Sequence, residues 1–220
     1  RPTVGFFGSG FVVGHGNLAI TNAHVVAAIA EKDLIKSLRV YPPNGGPDEA
    51  REARVLAQDR AHDLALLEFE GPPMQPVRLD RREPRQGQTV GVLGFPIGMK
   101  LGAVPAAHRG VVSAVVPAVL PLPAGRRMTR ELAAAIERPY NLYQLDLLVF
   151  PGHSGSPVYE GRSGAVIGVI NKTLATRTRE HLLDQPTAIA YAVPSRWVIR
   201  LCLSAGHAPM PTMDEPKGSE

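Results

Sequence analysis

The chain has 220 residues, of which 44% are apolar, 20% charged and 5% aromatic, with a formal net charge of +4. This apolar content is enough to bury a sizeable core, which excludes a wholly disordered chain, and no apolar run approaches the roughly 18 residues of a membrane span. The small basic excess is scattered without stacking aromatic residues, which disfavours a nucleic-acid surface, and the single Cys excludes a disulfide framework or a thiolate-rich zinc site.

Glycine and proline, with 22 and 21 residues and no obvious repeat, indicate many turns, and frequent valine favours a β-rich fold. The predicted strands, in chain order, are 9–14, 18–21, 38–42, 53–58, 64–69, 88–94, 109–116, 143–150, 165–171 and 187–193. The turn at 14–17 joins the first two into a hairpin. The strands form two groups that are separated near residues 71–86, a segment rich in proline and charge.

Three segments have helical patterns. Residues 24–30 predict a short helical turn, and 128–138, after the proline-rich loop 117–124, consists of good helix formers and ends before a proline. Residues 195–204 give the strongest signal, with apolar residues at helical spacing and Ser195 suited to the N-cap position.

The segment Pro151-Gly-His-Ser-Gly-Ser-Pro157 places Ser154 between glycines on a tight turn. The missing side chains let a carbonyl group approach the backbone, where the N–H groups of Gly152 and Ser154 are candidates for an oxyanion hole. The simpler interpretation is an ordinary Gly-Ser turn. A serine becomes a nucleophile only beside a base that a third group orients.

Two residues are candidates for these roles. His24 follows an apolar strand directly, and Asp63 precedes one, a position where a buried carboxylate can hold a histidine in one tautomer. Taken singly, a lone histidine is more often structural and a lone aspartate is more often a turn former. In the order His, Asp, Ser, the three together point to nucleophilic hydrolysis.

The same order, and the sequence around each residue, resembles the chymotrypsin-like serine peptidases, and within them the HtrA/Deg branch. The matching blocks are Gly8-Ser-Gly-Phe11, Thr21-Asn-Ala-His-Val25, Asp63-Leu-Ala-Leu-Leu67, Leu93-Gly-Phe-Pro-Ile-Gly98, Gly110-Val-Val-Ser-Ala114, Gly152–Pro157, Val166–Asn171 and Ala192-Val-Pro-Ser195. The resemblance runs from about residue 8 to 204, and the lone cysteine agrees with this branch.

The resemblance implies an all-β fold of two six-stranded antiparallel β-barrels with a C-terminal helix. The implied division is an N-terminal barrel at 1–75, a linker at 76–86, a C-terminal barrel at 87–194, the helix at 195–206 and a flexible tail at 207–220. The implied chemistry is peptide hydrolysis through an acyl-enzyme in the cleft between the barrels, without metal or cofactor. His24 is then the general base, Asp63 orients it and Ser154 attacks.

The resemblance also places the substrate pocket, at Leu148, Val149, Val169, Ile170 and Asn171. None of these is acidic, so we expect small to medium aliphatic side chains at the cleaved position rather than Lys or Arg. The strand near 169–172 is expected to pair with the substrate backbone. The loop 117–141 lies where relatives carry a regulatory loop and is either a docking or gating element or an inert insertion.

Two departures from the family pattern stand out. His153 replaces the usual Asn, and Ser156 replaces a Gly, so a positive φ at Ser156 would be uncomfortable. His153 cannot act as the anion that pairs with a freed N-terminus in pancreatic-type peptidases, and the chain has no Ile-Val-Gly-Gly start, which argues against activation by cleavage. The other histidines lack metal-like spacing, His62 is expected to be exposed, and Cys202 is expected to be a buried, inert thiol.

The partners that follow from the resemblance are protein or peptide substrates, including unfolded polypeptides, with no nucleic acid and no membrane. Relatives often form trimers, but only about eight residues precede the first predicted strand, and the PDZ domains of relatives are not expected here. A periplasmic or secreted location also follows only from the resemblance.

Two alternatives to a trypsin-like enzyme are compatible with some of these residues. Gly152-His-Ser154 resembles the nucleophile elbow of α/β-hydrolases, but that fold places its Asp and His after the serine and has Gly where Ser156 stands. A catalytically silent trypsin fold used for binding is the second alternative. His153 and Ser156 favour it, whereas the complete set of His24, Asp63 and Ser154 opposes it.

Overall fold

The computed structural model describes residues 8–30, 37–96, 104–118, 140–171 and 189–209. The chain in these ranges is mostly β structure in two sheets that follow one another in sequence, with two α-helices.

The first sheet has five antiparallel strands in the order β1-β2-β5-β4-β3. Its strands are β1 (Phe11–Val13), β2 (Leu18–Thr21), β3 (Leu38–Val40), β4 (Arg51–Asp59) and β5 (Leu64–Phe69). Helix α1 (Ala23–Ala30) follows β2 directly, and a 3-10 turn (Pro47–Glu49) precedes β4. The predicted β1–β2 hairpin is present, with Phe11 opposite Ile20.

The second sheet closes into a six-stranded antiparallel barrel in the order β10-β11-β8-β7-β6-β9. Its strands are β6 (Thr89–Gly94), β7 (Ala106–Pro117), β8 (Asn141–Asp146), β9 (Pro157–Glu160), β10 (Val166–Ile170) and β11 (Ile189–Pro194). Helix α2 (Ser195–Ser204) continues directly from β11. Closure leaves none of these six described strands with an unpaired edge.

The linker between the two sheets is hydrogen-bonded to both of them. Val77 N–H donates to the carbonyl of Val12 in β1 at 2.9 Å, and Asp80 N–H donates to Val166 in β10 at 2.8 Å. One apolar cluster also spans the first sheet, the barrel and α2, and includes Ile20, Leu66, Leu79, Val169, Val193, Val198 and Leu201. The two sheets therefore share a core.

Of the two six-stranded antiparallel barrels and the C-terminal helix that the sequence predicts, the mostly β fold, the second barrel and the helix are confirmed. The first half differs, because its described residues form an open five-stranded sheet, in agreement with the five strand signals of the sequence there. The predicted strand 143–150 ends at Asp146, and β9 was not predicted. The predicted helix 128–138, most of the loop 117–141 and the tail beyond residue 209 lie outside the described residues.

The start of α2 also differs from the prediction. Pro194 occupies the N-cap position, and Ser195 is the first helical residue. The Ser195 hydroxyl donates to the carbonyl of Asp80 instead of capping its own helix. A buried hydroxyl needs an acceptor, and the linker carbonyl provides one, so Ser195 anchors α2 to the linker.

Candidate active site

His24 and Asp63 lie side by side at the beginnings of α1 and β5. The imidazole Nδ1–H donates to Asp63 Oδ2 at 2.6 Å, and the backbone N–H of His24 donates to Asp63 Oδ1 at 2.8 Å. An ionised carboxylate only accepts hydrogen bonds, so this contact holds the proton on Nδ1 and leaves the Nε2 lone pair as a base. The His24 side chain is 34% exposed, and its ring is therefore reachable from solvent.

Asp63 has a left-handed backbone, with a φ of 53°, and is fixed there by several neighbours. Its carbonyl accepts from Ala23 N–H at 3.2 Å and from the side-chain amide of Asn22 at 3.0 Å. Its Oδ2 also accepts from Asn171 Nδ2 at 2.9 Å. Such a conformation costs about 1–3 kcal/mol outside glycine, so it persists only where the surroundings hold it.

Ser154 lies in the turn between β8 and β9, whose shape depends on two glycines. Gly152 and Gly155 have φ values of 104° and 86°. Inside the turn, His153 N–H donates to the carbonyl of Phe150 at 3.1 Å. In contrast, the N–H groups of Gly152 and Ser154 donate to no group among the described residues. Two unpaired N–H groups beside a serine are the donors that an oxyanion hole requires.

Ser9 docks this turn against the first sheet. Its N–H donates to the carbonyl of Ser154 at 2.8 Å, and its hydroxyl donates to the carbonyl of Gly152 at 2.6 Å. The same hydroxyl accepts from Phe95 N–H at 3.0 Å, and the Ser9 carbonyl accepts from Thr21 Oγ1 at 2.7 Å. The Gly8–Phe11 block belongs to the family pattern in the sequence. Its contact with the serine turn could not be predicted, because it joins residues 143 positions apart in the chain.

The two unusual residues of the turn are accommodated without a strained backbone. Ser156 is fully buried and is not among the described non-glycine residues with positive φ. Its hydroxyl has no hydrogen-bond partner within the described ranges and fills the space that Gly94 leaves, where an added Cβ would lie 2.0 Å from Ser156 Oγ. His153 is also fully buried, and its Nδ1 accepts from Phe150 N–H at 3.1 Å.

The described contacts bring the serine turn and the His24 helix close together but do not join them. A Cβ added to Gly8 would lie 2.9 Å from the Ser154 carbonyl oxygen and 2.8 Å from a Val25 methyl group. Among the hydrogen bonds of the described residues, none links Ser154 Oγ to His24 Nε2. Catalytic hydrogen bonds of this kind are often loose without substrate.

The residues predicted to line a substrate pocket lie partly at the surface and partly in the core. Leu148 is 36% exposed, and Val149 packs against the barrel core. Val169 and Ile170 are fully buried in two core clusters, and the Asn171 amide is directed at Asp63. Strand β10 lies between β9 and β11, so a substrate strand has no free edge there as far as Ile170.

Two further expectations concern isolated side chains. Cys202 is buried, as expected, and burial raises its pKa to about 11. His62 is not exposed, because its side chain has 12% of its surface accessible and packs against α2. Within the described ranges no three His, Cys, Asp or Glu side chains cluster as metal ligands, and no helix is long and apolar enough to cross a membrane.

A closed antiparallel barrel beside a second β-sheet, with a His–Asp pair and a glycine-flanked serine on adjoining loops, defines a trypsin-like fold. The chain belongs to the family described as trypsin-like peptidase domain, which matches residues 8–169.

Relatives identified by sequence are HtrA/DegP-like. A probable periplasmic serine endoprotease DegP-like from Halomonas elongata is 27% identical over 188 residues, or 85% of this chain and 32% of the relative. Human serine protease HTRA3 is 27% identical over 195 residues, or 88% of this chain and 36% of the relative. The chain therefore spans about a third of the length of the curated relatives it matches.

A solved structure of similar fold is the inactive, serine-to-alanine mutant form of Rv3671c from M. tuberculosis. It superposes with a TM-score of 0.64 at 23% identity and covers 96% of this chain and 84% of its own. At this identity the likeness concerns the fold alone.

Proposed function

We propose that the protein is a serine endopeptidase in which Ser154 is the nucleophile, His24 the general base and Asp63 the residue that orients His24. The observation that carries the proposal is the double hydrogen bond between His24 and Asp63, at 2.6 and 2.8 Å. It holds the proton on Nδ1, so Nε2 is the nitrogen that takes the Ser154 proton and later returns it to the leaving amine.

In the proposed reaction, a tetrahedral intermediate forms and then breaks down at one site, in the cleft between the first sheet and the barrel. Ser154 Oγ attacks the peptide carbonyl, and the N–H groups of Gly152 and Ser154 receive the negative charge on its oxygen. The leaving amine departs with the proton from His24, and water activated by the same base then hydrolyses the acyl-enzyme. Within the described ranges neither N–H group has a hydrogen-bond acceptor, which supports this role for both of them.

Labelling with a fluorophosphonate probe tests the proposal. We expect the probe to label the wild-type chain, Ser154→Ala to abolish labelling, and His24→Ala to slow it strongly. Ser204→Ala is the matched control, because this exposed serine lies on α2 and its hydroxyl donates to the carbonyl of Leu201 in the same helix. A well-folded wild-type chain that takes up no probe and cleaves no peptide would favour the catalytically silent trypsin fold instead.

The substrate preference proposed with this function is a small or medium aliphatic side chain at the cleaved position. It is supported by the apolar character of Leu148 and Val149 at the start of the serine loop, because an apolar surface rejects an unpaired charge. Peptides that differ only in Ala, Val, Leu or Lys at that position test it. Faster cleavage after Lys than after Val would contradict the preference.

A further inference from the structure

We infer that His62 is a positioning residue that holds Asp63 towards His24 by clamping the turn 59–63 against α2. The inference deepens the proposed function and rests on it for its effect on catalysis. The clamp itself is a structural relationship that can be measured without substrate.

The clamp begins with a His–Asp pair next to the proposed catalytic pair. His62 Nδ1–H donates to Asp59 Oδ2 at 2.6 Å, and His62 N–H donates to Asp59 Oδ1 at 3.2 Å. These contacts close the turn that connects β4 to β5 on itself. Asp63 is the next residue along the chain, so its backbone follows a residue, His62, whose main chain and ring are both held by Asp59.

The His62 ring is then stacked on α2. It lies face to face with Trp197, with centroids 3.6 Å apart and an interplanar angle of 20°, and edge-on to Tyr140 at 4.5 Å. The Trp197 Nε1–H is buried without a hydrogen-bond partner in the described part of the chain, so the indole is held there by its ring contacts.

Tyr140 adds a second attachment to the same turn. Its hydroxyl donates to the carbonyl of Ala61 at 3.3 Å, and its ring meets Trp197 at 5.9 Å. Asp59, Ala61 and His62 are thus all tied to one cluster of three rings. The Asp63 that follows has a φ of 53°, and a strained residue of this kind needs neighbours that leave it no alternative.

The charges around the cluster agree with a fixed His62–Asp59 pair. Burial by itself would raise the pKa of Asp59, but the hydrogen bonds from the His62 side chain and backbone outweigh it and lower that pKa. Two arginines lie near the cluster, with Arg196 and Arg200 at 5.9 and 5.5 Å from the Trp197 ring centre, and Arg196 also pairs with Glu83 at 3.6 Å. Asp59 is therefore ionised at neutral pH and accepts from His62.

Two variants separate the clamp from general stability. We expect His62→Ala to lower kcat by about tenfold to a hundredfold with KM within about twofold, because a displaced base misaligns the reaction without weakening substrate binding. His62→Phe keeps a ring for Trp197 and should recover part of that loss. The matched control is Val198→Ala, a fully buried neighbour of Trp197, which should lower Tm but leave kcat at 25 °C unchanged.

Two spectroscopic signals report the clamp directly. The far-downfield proton resonance of His24 Nδ1–H should broaden or move upfield in His62→Ala and not in Val198→Ala. Trp197 is the sole tryptophan of the chain, so its emission reports the stack with His62 and should change in His62→Ala and return towards wild type in His62→Phe.

A folded His62→Ala protein with wild-type kcat and an unchanged His24 resonance would overturn the inference. If His62→Ala does not fold, Trp197→Leu removes the same stack from the side of α2, and it is judged by kcat and by the His24 resonance. A wild-type chain without peptidase activity would contradict only the proposed function. The clamp would still be tested, because the His24 resonance is measured without substrate.

Discussion

Ser9 Oγ donates a 2.6 Å hydrogen bond to the carbonyl of Gly152, a residue 143 positions later in the sequence. Gly152 has a φ of 104°, and because a glycine adopts positive and negative φ about equally well, its peptide groups can rotate readily. By holding the carbonyl, Ser9 restricts the rotation of Gly152 and with it the direction of the Gly152 N–H. The segment that leads into β1 thus shapes the proposed oxyanion hole of the barrel.

Ser9→Ala removes a single hydroxyl group, but it should nevertheless reduce kcat. We expect kcat to fall by about tenfold, a fraction of the loss caused by deleting an oxyanion donor outright. Stability should fall by about 1–3 kcal/mol, because buried polar groups lose a partner. Thr21→Val is the matched control, since it removes a bond to the Ser9 carbonyl and leaves the Gly152 contact in place. Equal kcat losses in both variants, measured with one peptide substrate, would refute this role of Ser9.

Asn171 also holds the Asp63 carboxylate, and replacing its amide by a carboxylate should lower activity. Its amide donates to Asp63 Oδ2 at 2.9 Å, so Asn171→Ala removes one of two donors to that oxygen, and we expect kcat to fall by about tenfold. Asn171→Asp should be worse at neutral pH, because it sets two carboxylates within contact distance. Steady-state kinetics of the two variants decide the matter. An Asp variant as active as wild type would show that Asn171 does not act through Asp63.

Gly94 and Ser156 are expected to be coupled in stability. A Cβ on Gly94 would lie 2.0 Å from Ser156 Oγ, so Gly94→Ala overpacks a buried site and should cost about 1–3 kcal/mol. Adding Ser156→Gly removes the obstructing hydroxyl and should return part of that loss. A double-mutant cycle by urea denaturation measures the coupling, expected at about 0.5–3 kcal/mol. Strictly additive effects would mean that the clash is relieved elsewhere.

The features that the sequence predicted are those encoded in short segments. The β1–β2 hairpin has its glycine turn between alternating strands, and α2 has its apolar face, so both can be read locally. The blocks around His24, Asp63 and Ser154 were likewise visible as motifs. The six-stranded barrel that the resemblance implies for the first half is not shown, because the described residues there form a five-stranded sheet.

What the sequence missed depends on contacts between distant segments. The sequence predicts an exposed His62, because a polar residue in a turn usually is exposed, whereas packing against Trp197 and Tyr140 buries it. The burial of Val169 and Ile170, which the resemblance places at a substrate pocket, also depends on distant contacts, because β10 is covered on both faces and no alternation separates surface from core. Strand β9 is short and begins at Pro157, a residue that lowers the strand signal.

Cys202 should behave as a reporter of unfolding. Burial raises its pKa to about 11, so the reactive thiolate is scarce at neutral pH and the sulfur is shielded by α2 and the shared core. We expect an aromatic disulfide reagent to modify the native protein only at the rate of unfolding and to leave peptidase activity intact. Rapid modification under native conditions, followed by absorbance, would contradict the buried position.

Asp80 makes the stability of the protein sensitive to acid. Burial alone would raise its pKa, but the hydrogen bonds from the Arg82 side chain, at 2.6 to 3.0 Å, and from its N–H lower that pKa below the ordinary 3.8. A carboxylate whose pKa is lower in the folded state stabilises the protein above about pH 4, and this contribution is lost as the pH falls through the folded-state pKa.

Arg82→Gln should therefore lower the free energy of unfolding at pH 7 and flatten its decline towards pH 3. Arg85→Gln is the matched control, because this nearby arginine is exposed and its side chain forms no ion pair among the described residues. Urea denaturation from pH 7 to pH 3 measures both variants. Because the Asp80 carbonyl also receives the Ser195 hydroxyl, the loss should loosen the linker and the start of α2 together. If Arg82→Gln keeps the wild-type slope against pH, the acid sensitivity has another source.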